Sequence, residues 1–178
     1  MIKAPTPSGG DKFGAALALS ADGSVLAVGA PEEDGIVNDT GAVHIYVRSG
    51  AVWSHEDVAT ATNPGFENFF GRNVALSGSG EVLAVAAPHE DSAEIGVHTA
   101  TGGNQANNCA AVPPVNCANR AGAVYTFTRS SGWAPQAYIK PHNTNQYDEF
   151  GTSIALSANG LVLAVGAVLQ PTGIDQEG

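Results

Sequence analysis

The chain has 178 residues, a formal net charge of −10 and 22 glycines. Because nucleic acids and anionic membrane surfaces bind basic patches, this acidic balance argues against both as partners. The apolar fraction of 43% is ordinary for a globular protein, and no apolar run is long enough to cross a bilayer as a helix. We therefore expect a globular chain that is dense in turns and has no membrane span.

One stretch of sequence occurs three times along the chain. Its copies cover residues 11–30, 68–87 and 148–167. Each copy begins with a Phe-Gly pair, and these pairs are Phe13-Gly14, Phe70-Gly71 and Phe150-Gly151. Because the same residues return in the same order, we expect the three copies to have the same local structure.

In each copy two apolar runs flank a short polar turn. The turns end in Asp22-Gly23, Ser79-Gly80 and Asn159-Gly160. Asp-Gly and Asn-Gly between apolar runs indicate a tight antiparallel hairpin, because both central residues of a type I′ turn need positive φ. The second run is apolar on both faces, so we expect it inside the packed protein.

Two more strands follow each of the first two hairpins. Residues 41–49 are similar to residues 122–130, and Trp53 corresponds to Trp133, which lies equally far before the next Phe-Gly pair. The predicted strands of the first repeat are residues 13–20, 25–30, 42–48 and 53–59. Four antiparallel strands in tandem copies are typical of β-propeller blades. We predict an all-β chain of about two and a half four-stranded antiparallel blades, and the alternative is a β-sandwich built from the same hairpins.

We interpret the whole chain, residues 1–178, as a single repeat region. Its parts are the end of a preceding blade at residues 1–10, blade 1 at 11–66, blade 2 at 67–147 and a partial blade 3 at 148–178. Since a closed propeller needs about four to eight blades, we expect the chain to be a fragment or to assemble with other chains. The last apolar strand, at residues 162–167, would keep an open edge, so we predict possible self-association through open strand edges.

The repeated motifs carry a family resemblance. The Phe-Gly pairs are followed by Gly29-Ala30-Pro31 or Ala86-Ala87-Pro88, and then by Gly-Ala-Val segments at Gly41 and Gly122. Together these motifs resemble the FG-GAP repeats of the integrin α-subunit propeller. The sequence of residues 136–140 is more similar to that of bacterial secreted and surface proteins with such repeats. The resemblance implies an extracellular module, secreted or on the cell surface, for protein interaction or cell adhesion. The alternative is a structural spacer or self-assembling surface repeat without its own ligand.

The sequence contains no recognisable catalytic motif. It has no Gly-x-Ser-x-Gly elbow, no phosphate-binding Gly-x-x-x-x-Gly-Lys loop and no dinucleotide fingerprint. Its five histidines are scattered without metal-binding spacing. We therefore predict that the chain is not an enzyme.

Calcium is the one cofactor that the resemblance raises. Integrin-type repeats often carry a calcium loop between the first two strands, but that place here holds a turn with at most one carboxylate. Calcium takes about six to eight oxygens, so the usual site is not carried over. Other candidate ligands for a cation are Glu33, Asp34, Asp39, Glu90, Asp91 and Asn104. Their spacing matches no known calcium loop, and a solvated acidic loop is the alternative.

The longest loop, residues 88–121, contains both cysteines of the chain. We expect a local disulfide between Cys109 and Cys117 in an oxidising compartment, with two free thiols as the alternative. Loops longer than about 12–15 residues are usually functional or mobile. We therefore predict that this loop contacts a protein or surface ligand.

The repeated aromatic residues are interpreted as packing residues of the repeat core. With their glycines they are Phe13, Gly14, Phe70, Gly71, Phe150, Gly151, Trp53 and Trp133. Because they recur with the blade, we expect the phenylalanines between blades and the tryptophans on outer strands. Asp11, Asn68 and Asp148, two places before each Phe, are expected to hold the strand entrance by accepting backbone N–H bonds.

Overall fold

The structure is a computed structural model that describes residues 1–99, 109 and 116–168. In this part of the chain every helix or strand assigned is a β-strand. The strands are β1 (Ala16–Leu19), β2 (Val25–Ala30), β3 (Ala42–Ser49), β4 (Val52–Ala59), β5 (Asn73–Leu76), β6 (Val82–Ala87), β7 (Val97–Thr99), β8 (Ala123–Arg129), β9 (Trp133–Ile139), β10 (Ser153–Leu156) and β11 (Leu163–Gly166). Across the described ranges there is accordingly no apolar helix of membrane-spanning length.

The strands form three antiparallel sheets that follow one another along the chain. The first has the order β1-β2-β3-β4, the second β5-β6-β8-β9-β7, and the third consists of β10 and β11. We call them blade 1, blade 2 and blade 3. The all-β fold and the antiparallel propeller blades are confirmed. Pairing of the blade 3 edge with another chain stays a prediction.

The repeat extends to the strand register and its irregularities. In blade 1, β1 pairs with β2 from Ala16↔Gly29 to Leu19↔Leu26, and β5 pairs with β6 at the corresponding residues. The third and fourth strands of blade 1 have a register shift after Ile45, and those of blade 2 have one after Thr126, at the equivalent place. The two blades therefore share the same strand register and have their β-bulges at equivalent positions.

The turn between the first two strands is not a type I′ turn, so that prediction was wrong. Only its glycine has positive φ, which is 68° at Gly23, 74° at Gly80 and 71° at Gly160. In blade 1 the carbonyl of Ser20 accepts the N–H of Gly23 at 2.9 Å, and its side-chain oxygen accepts the N–H of Val25 at 2.9 Å. The serine side chain holds this longer turn, which needs left-handed backbone only at glycine.

Blade 2 has one strand more than the predicted four. β7 pairs with the outer edge of β9, from Val97↔Ile139 to Thr99↔Ala137. This strand lies inside the long loop, residues 88–121, and its three residues are too few for an alternating pattern to be recognised. Part of the predicted partner-facing loop therefore extends the sheet.

The two cores lie between neighbouring blades. The larger core joins Val25, Ala27, Val43 and Ile45 of blade 1 to Leu83, Val85, Tyr125 and Phe127 of blade 2. The smaller core joins Ala84, Ala86 and Val124 of blade 2 to Ile154, Leu163 and Val165 of blade 3. Alternate residues of β6 thus face opposite neighbours, which explains why this strand is apolar on both faces.

Candidate functional site

Strained backbone marks one end of each junction between blades. The carbonyl of Asp39 accepts the N–H of Phe69 at 3.2 Å, and the carbonyl of Arg120 accepts the N–H of Glu149 at 3.0 Å. None of these four residues is glycine, yet their φ angles are 52° at Asp39, 55° at Phe69, 50° at Arg120 and 49° at Glu149. Such left-handed residues cost about 1–3 kcal/mol each and cluster at functional sites. This end of the blades is therefore the first place to look for function.

A groove runs along this end, with His89 at its centre. Three cavities of about 430, 360 and 180 Å³ open around this side chain. We call them together the His89 groove, whose principal lining residues are Phe66, Phe69, Arg72, His89, Arg120 and Tyr147. Three of the four strained residues, Phe69, Arg120 and Glu149, line it, so the unusual backbone and the groove coincide.

His89 is neutral near pH 7 in this setting. Its ring packs against Phe69 with the ring centroids 4.9 Å apart, and its Nε2 lies 3.9 Å from Oε1 of Glu149. Burial lowers the pKa of His89, the Arg120 cation acts in the same direction, and nearby carboxylates oppose them. A neutral imidazole donates from one ring nitrogen and accepts at the other, so His89 offers both roles to a ligand.

Asp91 anchors the base of the long loop at the groove. Its Oδ1 accepts the N–H of Arg120 at 2.8 Å, and its carbonyl accepts the N–H of Ala118 at 2.7 Å. Burial raises the pKa of Asp91, while the Arg120 N–H opposes that change. The two ends of the loop, residues 88–121, are thereby held together as one wall of the groove.

In the first two repeats the phenylalanine lies against an aromatic ring of its own blade. The ring centroids of Phe13 and Tyr46 are 6.3 Å apart, and those of Phe70 and Phe127 are 6.0 Å apart. Tyr46 and Phe127 hold equivalent places in β3 and β8. Phe70 is fully buried in the core between blades 1 and 2, and Phe150 packs at the core between blades 2 and 3.

The glycine after each phenylalanine has left-handed backbone, and in two of the three copies it lies close to the preceding blade. The φ angle is 93° at Gly71 and 100° at Gly151. A Cβ would lie 2.6 Å from the Ala42 carbonyl oxygen at Gly71 and 2.8 Å from the Ala86 Cβ at Gly151. Gly14 has the same φ of 93°, but a Cβ there would meet nothing within 4 Å. The glycine is thus needed for backbone conformation and, in two copies, for close approach.

Comparison with known families identifies this repeat. Residues 2–46 match the model of the FG-GAP repeat. Residues 2–46 therefore contain an FG-GAP repeat. No curated protein matches the chain. The repeat marks a propeller-like protein-interaction module, and the resemblance drawn from the Phe-Gly pairs is confirmed.

The long loop, residues 88–121, contains a disulfide between Cys109 and Cys117. Cys117 also forms an isolated antiparallel bridge with Ser92, so the disulfide is attached to the base of the loop. Together with the FG-GAP repeat, the disulfide indicates an extracellular protein. Asn104, a predicted cation ligand in this loop, lies outside the described residues.

The charge of Glu90 is already compensated by a buried lysine, so the solvated-loop alternative is wrong for this residue. Its Oε2 lies 2.7 Å from Nζ of Lys140, and both side chains are completely buried. Its Oε1 accepts Nδ2 of Asn63 at 2.8 Å and the N–H of Ser92 at 3.1 Å. Burial lowers the pKa of Lys140, and Glu90 opposes that change. Because an ammonium group occupies this carboxylate, Glu90 does not face solvent as a cation ligand.

Glu33, the blade 1 counterpart of Glu90, contacts a histidine. Its Oε2 lies 2.7 Å from Nε2 of His44, and Nδ1 of His44 lies 3.4 Å from Nε2 of His55. His44 thus contacts Glu33 through Nε2 and His55 through Nδ1. Burial and the neighbouring His44 lower the pKa of His55. Glu33, His44 and His55 are therefore linked in a row by side-chain contacts.

The remaining acidic candidates lie near one another without forming a metal site. Oδ1 of Asp34 accepts the N–H of Asp39 at 3.1 Å. Burial raises the pKa of Asp39, and the carboxylates of Glu32 and Asp34 act in the same direction. Within the described ranges no three His, Cys, Asp or Glu residues are grouped to hold a metal ion.

The two tryptophans lie on β4 and β9, of which only β4 is the outermost strand of its sheet, and they have different partners. Trp133 donates from Nε1 to Glu56 at 3.2 Å and from its backbone N–H to Asp57 at 3.1 Å, which joins blade 2 to blade 1. Trp53 has the Arg48 guanidinium 5.8 Å from its ring centroid, within blade 1.

Sequence reasoning missed the residues that form the groove and the buried ion pair. His89 was only one of five histidines without metal-binding spacing, and Lys140 was not considered as a partner of Glu90 because 50 residues separate them. One signal was available for the groove. The residue before each repeated phenylalanine is left-handed in every copy, at Lys12, Phe69 and Glu149, so the Phe-Gly motif itself marks this end of the blades.

Proposed function

We propose that the chain is an extracellular protein-interaction or adhesion module that binds a peptide segment of another protein in the His89 groove. The base of the long loop, residues 88–121, forms one wall of this site. The observation that carries the proposal is a pair of exposed aromatic rings at the groove, Phe66 at 61% and Tyr147 at 49% exposure. The proposal includes no catalytic step.

Exposed rings of this kind favour a protein partner. Tyrosine, phenylalanine and arginine are enriched in the centres of protein interfaces, where they contribute most of the binding energy. Phe66 and Tyr147 line the same cavity as Arg120, so all three residue types meet there. A peptide side chain placed between the two rings would cover apolar surface that now faces solvent.

The charges of the groove favour a polar ligand over an apolar small molecule. Lys12 is ion-paired with Glu32 at one end, and Arg120 lies beside Asp91 and Glu67 at the other. Pockets for apolar small molecules are lined mainly by hydrophobic side chains, with few polar groups. A lining of both charge signs suits the backbone and mixed side chains of an extended peptide.

Selection of a random heptapeptide phage library on the immobilised protein tests this function. Selected peptides should bind the Phe66→Ala and Tyr147→Asn variants at least tenfold more weakly, because each substitution removes a ring from the groove. Asparagine is chosen at position 147 because it tolerates the left-handed backbone, where φ is 66°. Val52→Ala is the control, because it changes an exposed residue at the first position of β4, outside the residues that line the groove. No enrichment, or equal binding by all variants, would contradict the proposal.

A self-assembling repeat without its own ligand is the second candidate. It is favoured by the exposure of Leu17 at 63% and Leu19 at 55% on blade 1. Peptide binding and self-assembly use different surfaces, so the two can be tested separately.

A further inference from the structure

The residue that follows each Phe-Gly pair is held by the same tight turn in all three repeats. Its N–H donates to the carbonyl three residues earlier, at 2.9 Å for Ala15, 3.1 Å for Arg72 and 3.1 Å for Thr152. These three residues all line the cavity of about 360 Å³ in the His89 groove. The repeat therefore brings three equivalent positions to one cavity, and only the middle position carries a charge.

Arg72 lies along the groove rather than at its end. It lines the cavity of about 360 Å³ and also the cavity of about 180 Å³. The next residue, Asn73, anchors this segment to blade 3, because its Nδ2 donates to the carbonyls of Gly151 at 2.9 Å and Thr152 at 3.1 Å. A ligand bound at Arg72 can therefore continue into a cavity on either side, as the middle of an extended peptide does.

The four arginines of the chain differ in whether their guanidinium groups have partners. Arg129 pairs with Glu56, and Arg48 donates to backbone carbonyls in the turns of blade 1. Within residues 1–99, 109 and 116–168, the guanidinium groups of Arg72 and Arg120 form neither an ion pair nor a hydrogen bond. Both of these arginines line the His89 groove. The groove thus holds two cations that are available to a ligand.

The two ends of the groove differ in their negative charges. One end carries two carboxylates, Glu67 and Asp91, beside its arginine. In the cavity of about 180 Å³, Arg72 lies with Lys12 and Glu32, and Glu32 is already the ion-pair partner of Lys12. Because like charges repel, an added carboxylate is least opposed at the Arg72 end.

We propose that the His89 groove recognises an acidic side chain, aspartate or glutamate, of its peptide ligand through Arg72. This inference rests on the proposed function and adds the chemistry of the partner. The planar guanidinium group matches a carboxylate, to which it can donate two parallel hydrogen bonds. Glu149 lines the cavity of about 360 Å³, where its Oε1 lies 3.9 Å from Nε2 of His89. The ligand carboxylate therefore binds on the other side of Arg72, in the cavity of about 180 Å³.

A chemical-shift titration of the whole, isotopically labelled chain tests this site without a peptide. The probes are N-acetyl-aspartic acid N-methylamide and its asparagine analogue, which present a carboxylate and a neutral amide. The aspartate probe should shift the backbone amide signals of residues 71–73 and 89 in a saturable manner, and the asparagine probe should not. Equal responses to both probes, or no saturable response to the aspartate probe, would overturn the proposal.

Substitution of Arg72 shows whether this side chain is responsible. Arg72→Gln should bind the aspartate probe about tenfold more weakly or worse, because the charge-assisted hydrogen bonds are lost. Arg72 is exposed and has no side-chain partner among the described residues, so the variant should fold normally. Arg48→Gln, the same substitution at an exposed residue outside the groove, is the matched control. Equal weakening by both variants, or by neither, would contradict the role of Arg72.

The heptapeptide phage selection separates this inference from the proposed function. Peptides whose binding depends on Phe66 and Tyr147 should share an aspartate or glutamate, and Arg72→Glu should select lysine or arginine there instead. Peptides fused to a coat protein through their carboxyl end have no free terminal carboxylate, so such enrichment reports a side chain. If these peptides share no acidic residue, the inference fails and the proposed function stands. A saturable aspartate response without any selected peptide would mean the reverse.

Discussion

Lys140 and Glu90 form an ion pair in which neither side chain is accessible to solvent, with Nζ 2.7 Å from Oε2. Removing one partner of such a pair leaves an uncompensated charge in the interior, which costs about 3–5 kcal/mol. We therefore expect Lys140→Met to lower the free energy of unfolding by about that amount in urea titrations.

The control for this prediction is built into the repeat. Lys3 precedes the first Phe-Gly pair by the same number of residues as Lys140 precedes the third, but Lys3 is exposed. Lys3→Met should therefore change stability by less than about 0.5 kcal/mol. The double variant Glu90→Gln/Lys140→Met should be more stable than Lys140→Met alone, because it removes the unpaired charge. If Lys3→Met were as damaging as Lys140→Met, burial of the pair would not be the cause.

The Asp22 turn gives a prediction for acid pH. Hydrogen bonds from the Ser20 side chain, and then from the backbone and side chain of Ser24, lower the pKa of Asp22 from 3.8 to about 2. A carboxyl group with a depressed pKa in the folded state stabilises the fold above its unfolded value, and this contribution is lost as pH falls through the folded value. We expect the melting temperature to fall between pH 3.8 and about 2 partly through this group.

The third repeat shows how to isolate the Asp22 contribution. Its turn has Asn159 at the same place, and Oδ1 of this residue accepts similar bonds from Ser157 and Leu161 without titrating. Asp22→Asn should therefore fold normally and show a smaller loss of melting temperature over this pH range. An identical pH profile for the two proteins would contradict the assigned role of Asp22.

The serine at the start of each turn is a further test of the repeat. Ser77 is fully buried, and its Oγ accepts the N–H of Val82 at 3.0 Å. Ser77→Ala leaves this buried donor without its side-chain acceptor, for which we expect a loss of about 1–3 kcal/mol in chemical denaturation. Ser79→Ala, at an exposed residue of the same turn, should cost far less. Equal losses would mean that the turn is not held by Ser77.

The sequence predicts the blades well because each hairpin and its bulge recur, so three copies support one interpretation. It predicts distant contacts poorly. The partner of Glu90 lies 50 residues away, and the strand β7 has three residues, too few for a pattern. The exposure of Leu17 could not be foreseen, because its alternation is the same as that of its packed counterparts in the other blades. Whether the apolar side of such a first strand is covered depends on the neighbouring blade rather than on the sequence of the strand itself.

The close approach of Gly29 to Gly71 leads to the last prediction, which concerns the blade 1 and blade 2 junction. A Cβ at Gly29 would lie 2.1 Å from the carbonyl oxygen of Gly71, and because that atom belongs to the backbone it cannot turn away. Overpacking of this kind costs about 1–3 kcal/mol and occasionally more. We expect Gly29→Ala to lower the free energy of unfolding in urea by an amount at or beyond the upper end of that range. We also expect it to separate the two blades.

Gly9→Ala is the matched control, because a Cβ at Gly9 would meet nothing within 4 Å. Its backbone is not left-handed, so alanine there should leave stability unchanged or raise it slightly, because alanine reduces the conformational entropy of the unfolded chain. Hydrogen exchange gives the local readout. In Gly29→Ala the N–H groups of Phe69 and Phe70, which bond across the junction to Asp39 and Thr40, should exchange faster, whereas Gly9→Ala should leave them protected. Unchanged protection in Gly29→Ala would show that the junction absorbs the extra methyl group without separating.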